Sequence, residues 1–190
     1  MKIRDIQTFL MSAAPPGQQS WRHWLFVKVH TDEGLYGVGE CWGWPRVVET
    51  AIQDLKPILI GEDPTHIERL WQKLFSSIMG HGMTGVVGSG AMTGIDMALW
   101  DLKGKELNTP VWNLLGGKIR DRIRLYGHAF DMERADKLVE RGFTGLKIFG
   151  GEHCQERIET LRSKFGPDID LMVDVGGAPW QTPRDAIALG

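Results

Sequence analysis

From about Arg120 onward the sequence alternates one extended apolar run with one amphipathic run, at intervals of about 24 residues. This alternation constrains the fold more than any other feature. Arg122–Gly127 reads as a strand and Met132–Arg141 as a helix stopped at Gly142. Phe143–Phe149 reads as the next strand, His153–Phe165 as a helix ending before Gly166-Pro167, and Ile169–Asp174 as a third strand. Thr182-Pro183-Arg184-Asp185 then has the capping-box pattern that opens another helix. Strands joined by helices pair in parallel, because a parallel pair needs a long crossover.

The residues before Arg120 follow a different rhythm. Lys2–Met11, Trp21–His30 and Leu35–Cys41 read as three antiparallel strands. Ala13–Gly17 falls in a loop, and Thr31-Asp32-Glu33-Gly34 in a hairpin turn where Gly34 supplies a positive φ. In the second strand Leu25, Val27 and Val29 share one face and Trp24, Phe26 and Lys28 the other. Val48, Ala51, Ile52, Leu55 and Leu59 then recur at helical spacing. Asp63-Pro64 reads as an N-cap with proline at the first helical position, opening a helix that carries Ile67, Leu70, Trp71, Leu74 and Ile78 on one face. Gly80–Gly90 reads as a glycine-rich connection, Ala91–Leu107 as a third helix, and Val111–Leu115 as a short helix stopped by Gly116-Gly117. The expected division is therefore an α+β domain over residues 1–119 and β/α units over residues 120–190. A barrel of such units has eight strands and about 250 residues. Three strands amount to under half of one, so the chain reads as a fragment that stops inside a helix.

Composition narrows the function classes. The 190 residues carry a net charge of −2. That near balance lacks the basic excess of a dedicated nucleic-acid binder, so no nucleic-acid partner is expected. No apolar run approaches the roughly 18 residues of a membrane span, and Met1-Lys2-Ile3-Arg4-Asp5 reads as a charged strand start and not a signal peptide. Cys41 and Cys154 lack C-x-x-C spacing, which suits free thiols in a reducing cytoplasm.

Few motifs carry chemistry. Gly80-His81-Gly82-Met83-Thr84-Gly85 fits G-x-G-x-x-G, but it leaves a helix, whereas a dinucleotide fingerprint leaves a strand and opens a helix. It reads as a turned loop. His81, His128 and His153 each could face a site or simply lie on a loop or surface. In Gly145-Leu146-Lys147-Ile148-Phe149 the strand period puts Gly145, Lys147 and Phe149 on one face and Leu146 and Ile148 on the other. Lys147 then points into the interior of the β/α assembly near the C-terminal end of its strand, the end that carries chemistry in such barrels. Burial there would depress its pKa and make it a base; the alternative is a lysine reaching solvent from a strand end. Asp174 ends the next strand, where a carboxylate suits Mg²⁺ as a hard-oxygen ligand or, equally, caps the turn into Val175-Gly176-Gly177.

One long segment is more specific. Gly90-Ala91-Met92-Thr93-Gly94-Ile95-Asp96-Met97-Ala98-Leu99-Trp100-Asp101-Leu102-Lys103-Gly104-Lys105, followed by Pro110-Val111-Trp112-Asn113-Leu114-Leu115-Gly116-Gly117, closely resembles the signature of the mandelate racemase/muconate lactonizing enzyme branch of the enolase superfamily. Thr31–Glu40 resembles the hairpin of that family's capping domain. The resemblance spans essentially the whole chain. It implies an α+β capping domain followed by the first three β/α units of a (β/α)₇β TIM-like barrel. It also implies Mg²⁺ held by acids at the ends of the third, fourth and fifth barrel strands. Asp174 stands where the first of those acids belongs. Lys147 matches the first lysine of a Lys-x-Lys motif, whose second lysine is replaced here by Phe149.

The family reaction implied is removal of the proton α to a carboxylate, with Mg²⁺ as Lewis acid for the resulting dianion. With Phe149 in place of a lysine, the pattern resembles acid-sugar dehydratases more than two-base racemases, and Lys147 takes an electrostatic role. Family specificity lies largely in the capping domain. Two loops are candidate substrate contacts, one with Trp21, His23 and Trp24 and the other with Trp44 and Arg46, since aromatic walls with a cation or imidazole suit a polyhydroxy acid. The expected partners are a small-molecule carboxylate, an acid sugar, and further copies of the chain in a homo-oligomer. The alternatives are a racemase, epimerase or cycloisomerase of the same superfamily, or a non-catalytic fragment that only associates. The 190 residues taken alone are expected to be inactive.

Overall fold

The computed structural model describes residues 1–12, 23–80, 82, 85–151, 153–176 and 182–189. The chain divides into two compact units, Met1–Ile119 and Arg120–Gly190.

In the first unit, β1 (Ile3–Ser12), β2 (His23–Thr31) and β3 (Tyr36–Cys41) form an antiparallel sheet in the order β1-β2-β3. Leu25, Val27 and Val29 are fully buried on one face of the central strand, as their alternation requires. Gly34 makes the β2–β3 turn with φ +87°. Helices α1 (Pro45–Leu59), α2 (Ile67–Met79), α3 (Val86–Glu106) and α4 (Val111–Leu114) follow. α1, α2 and α3 bury Ile52, Leu59, Leu70, Leu74, Ile95, Leu99 and Leu102 against the sheet's apolar face in one core.

Two helix starts differ from the sequence expectation. Asp63 does not cap α2: its Oδ1 accepts from the Thr65 backbone N–H and the Thr65 hydroxyl, forming a local turn, and the helix opens three residues after Pro64, at Ile67. α3 begins at Val86 and not at Ala91, because Gly88 and Gly90 are buried helix residues and not part of a connection. Their lack of a side chain permits contact. A methyl group at Gly90 would lie 2.1 Å from the Trp42 carbonyl oxygen, and one at Gly94 would lie 2.2 Å from the Cys41 Sγ. The approach is reciprocal on β3, where methyl groups at Gly37 and Gly39 would lie 1.8 and 2.0 Å from the carbonyl oxygens of Ala98 and Gly94.

In the second unit, β4 (Gly127–His128), β5 (Gly145–Phe149) and β6 (Asp170–Asp174) pair in parallel in that order. Helix α5 (Met132–Glu140) lies between the first two strands in sequence, α6 (Cys154–Phe165) between the second and third, and α7 (Pro183–Leu189) follows. Asp131 caps α5 by accepting from the Arg134 N–H at 2.7 Å, and Gly142 ends the turn after it with φ +85°. The Thr182 and Asp185 side chains exchange bonds with each other's backbone N–H groups, the reciprocal cap expected at α7. Leu146 and Ile148 are buried with Ala135, Leu138 and Leu161 in a second core. The strand expected over Arg122–Gly127 is confined to Gly127–His128. A strand needs a bonded neighbour, and only this stretch reaches β5, while Ile123 and Leu125 stay exposed. Cys41 and Cys154 are buried and unbridged. Among the described residues, no helix is long and apolar enough to cross a membrane.

Candidate functional site

The parallel register of the second unit decides which side chains share a face. His128 pairs with Lys147, Lys147 with Met172, and Phe149 with Asp174. Paired residues project to the same side, so His128, Lys147, Phe149 and Asp174 stand together while Leu146 and Ile148 go to the core. All four lie at or near the C-terminal ends of their strands.

Lys147 Nζ lies 2.7 Å from Asp174 Oδ2, with both side chains largely covered. Asp174 Oδ1 also accepts from the Gly176 backbone N–H at 3.0 Å. One oxygen of Asp174 thus caps the turn while the other meets Lys147. The Lys147 ammonium, and after it the Gly176 N–H, hold the Asp174 carboxyl below the usual carboxylate range. The Asp174 carboxylate in turn raises the Lys147 pKa. The depressed lysine expected from burial is therefore corrected: its bonded carboxylate outweighs desolvation and keeps it charged.

Around this pair stand four rings, of which the sequence reading named His128 and Phe149 but not Tyr126 and Phe130. The His128 ring centre lies 5.8 Å from those of Tyr126, Phe130 and Phe149 alike. Phe130 and Phe149 stack at 5.9 Å with 12° between their planes. Lys147 Nζ sits 5.8 Å from the centre of the Tyr126 ring. The signal was in Tyr126-Gly127-His128-Ala129-Phe130, where every second residue is aromatic.

Asp174 offers one hard oxygen donor of the kind Mg²⁺ takes. Among the described residues, no group of three or more His, Cys, Asp or Glu side chains could by itself hold a metal ion. The donor chemistry fits, and it supplies a single ligand.

The other site residues read from the sequence lie in the first unit. His23 and Trp24 are the first residues of β2, and Trp44 and Arg46 flank the start of α1. Leu25 pairs with Cys41, so Trp24 and the segment leading to Trp44 leave the sheet at the same end. Trp44 is 74 % exposed, and Arg46 is exposed as well. Trp21 lies outside the described residues.

Residues 6–116, more than half of the chain, match the mandelate racemase/muconate lactonizing enzyme N-terminal domain. A D-galactonate dehydratase of Verminephrobacter eiseniae is 36 % identical over an alignment 200 positions long, which covers 93 % of this chain and 49 % of that protein. The 3,6-anhydro-D-galactonate cycloisomerase of Zobellia galactanivorans superposes with a TM-score of 0.86 at 32 % identity, over 100 % of this chain and 54 % of that one. An enolase from Agrobacterium radiobacter bound to Na and L-malate superposes with a TM-score of 0.83 at 30 % identity, over 100 % of this chain and 52 % of the other. The chain spans about half the length of these relatives.

Proposed function

The chain belongs to the mandelate racemase/muconate lactonizing enzyme family, and on that basis we propose that the complete protein is a Mg²⁺-dependent acid-sugar dehydratase acting in the cytoplasm. These residues would form its capping domain, residues 1–119, and the first three β/α units of its barrel, residues 120–190. The observation that carries this reading is the Lys147–Asp174 pair at the C-terminal ends of neighbouring parallel strands. Similarity to a D-galactonate dehydratase supports the substrate class.

In this reading Asp174 would be one of the residues that hold Mg²⁺, and the remaining donors would come from the part of the family's length that this chain does not span. When bound, Mg²⁺ supplies Lewis-acid stabilisation of the charge that develops on the substrate carboxylate. Lys147, a cation on the neighbouring strand, would neutralise that same charge. The proton α to the carboxylate leaves to a base outside these residues, and loss of the β-hydroxyl gives a 2-keto-3-deoxy acid. Phe149 cannot accept a proton, which argues against a second base on this strand and so against racemisation. Trp21, His23, Trp24, Trp44 and Arg46 are proposed as the capping domain's candidate contacts with a polyol chain.

A cycloisomerase is the second reading, favoured by the Zobellia galactanivorans structure. Incubating the complete protein with Mg²⁺ and a panel of aldonates and aldarates, and following 2-keto acid formation, separates the two. Net loss of water from an acid sugar is expected. Isomerisation at constant mass, or no turnover of any acid sugar, overturns the dehydratase.

A further inference from the structure

We propose that Lys147 is a built-in competitor for the Asp174 carboxylate, so that a divalent cation and a substrate carboxylate enter this site cooperatively, each releasing the group the other needs. The inference rests on the Mg²⁺ and carboxylate assignments above and adds how the two ligands are coupled.

Two observations carry it. The first is that the carboxylate is engaged at both oxygens. Asp174 Oδ2 meets Lys147 Nζ at 2.7 Å, and Oδ1 accepts from the Gly176 N–H at 3.0 Å. A divalent cation arriving at either oxygen meets a charge already matched, with an ammonium beside it. Like charges this close oppose each other more strongly where both side chains are largely covered than they would in open water. The same pair occupies the lysine, so a substrate carboxylate competes with Asp174 for one ammonium.

The second is that the two partners differ in freedom. The Asp174 carbonyl oxygen accepts from the Gly150 N–H at 2.7 Å, the residue pairs in register with Phe149, and Oδ1 is tied into its own turn. Lys147 instead carries its charge on a flexible four-carbon stem. Its Nζ already lies 5.8 Å from the centre of the Tyr126 ring, whose face attracts a cation. The ammonium can therefore turn away from Asp174 and stay on this side of the sheet, while the carboxylate keeps its place.

The consequence is a linkage. Without ligands the two side chains neutralise each other. A divalent cation taken by Asp174 frees the ammonium for a carboxylate, and a carboxylate taken by Lys147 frees Asp174 for the cation. Such coupling is reciprocal, so each ligand raises the affinity for the other by the same factor.

The test is calorimetric titration of the complete protein with Mg²⁺, alone and in excess glycolate, a 2-hydroxy acid that has no β-hydroxyl to lose. Glycolate should tighten Mg²⁺ binding about tenfold. Lys147→Met and Lys147→Gln should each bind Mg²⁺ alone about tenfold more tightly than the parent and lose most of the glycolate effect. Lys164→Met, which removes the same charge from the pair with Asp136, should behave as the parent in both titrations. A parent indifferent to glycolate, or Lys147 variants that bind Mg²⁺ no more tightly or keep the full glycolate effect, would overturn the competitor. Failure of the dehydratase reading shows elsewhere, as the same coupling with no loss of water from any acid sugar.

Discussion

Lys147 and Asp174 stand diagonally across neighbouring parallel strands, two register steps apart, and their side chains still meet at 2.7 Å. Each shifts the other. The lysine lies above its ordinary value of 10.5 and the aspartate below its ordinary 3.8. A raised lysine contributes stability that is complete below its unfolded value and is lost as pH rises through the folded one. A lowered carboxylate contributes stability present above its unfolded value and lost as pH falls through the folded one. In the metal-free protein the pair should therefore hold from about pH 4 to about pH 10. Asp174→Asn should return the lysine toward its ordinary value, read by NMR titration of the Lys147 side chain. An unmoved lysine would show that its shift has another source.

Asp174→Asn in the complete protein should remove most Mg²⁺ binding. The amide keeps the size and one oxygen but loses the charge that a hard cation prefers. Calorimetry giving an unchanged Mg²⁺ affinity would contradict the ligand assignment.

Lys147 can be tested through its charge. If it only neutralises the substrate carboxylate, Lys147→Arg in the complete protein should keep partial exchange of the α-proton in D₂O, since the guanidinium stays charged. Lys147→Met should lower turnover by about 10²–10³. Complete loss of exchange in the arginine variant, with the fold and Mg²⁺ affinity intact, would assign the base to Lys147.

The contact between α3 and β3 predicts the largest stability effects. Gly37→Ala and Gly39→Ala push a methyl group into a helix carbonyl that cannot move alone, so each should cost at least about 1–3 kcal/mol. Gly34→Ala meets nothing within 4 Å but must hold φ +87°, and should cost roughly 1–2 kcal/mol. Denaturant unfolding ranks the three. A Gly37→Ala protein as stable as the parent would mean that α3 and β3 separate at low cost.

These effects mark where the sequence was readable. Alternation in Leu25-Phe26-Val27-Lys28-Val29 and the apolar spacing of α1 and α2 declared their buried faces, because core burial obeys the element's own period. The start of α3 did not, because Gly88 and Gly90 have poor helix propensity and the benefit of Gly90 lies in a contact with Trp42 that is distant in sequence. Asp63-Pro64 misled in the opposite way: local chemistry that suits a cap suits a turn equally well, and Thr65 was the nearer donor. Strand period put Lys147 on the right face, but its protonation depended on Asp174, a partner 27 residues away whose distance only pairing sets. The ring cluster was written as a period-2 pattern across Tyr126, His128 and Phe130, hidden because those residues barely form a strand.

The glycines of β3 also act as a register key. Buried and exposed positions alternate along Tyr36–Cys41, with Gly37, Gly39 and Cys41 turned inward. Slipping this strand by one residue would turn Val38 and Glu40 toward the helix backbone that now touches bare α-carbons. The helix packed on the sheet therefore proofreads the hairpin beneath it, admitting one alignment of β2 with β3 and rejecting its neighbours by collision.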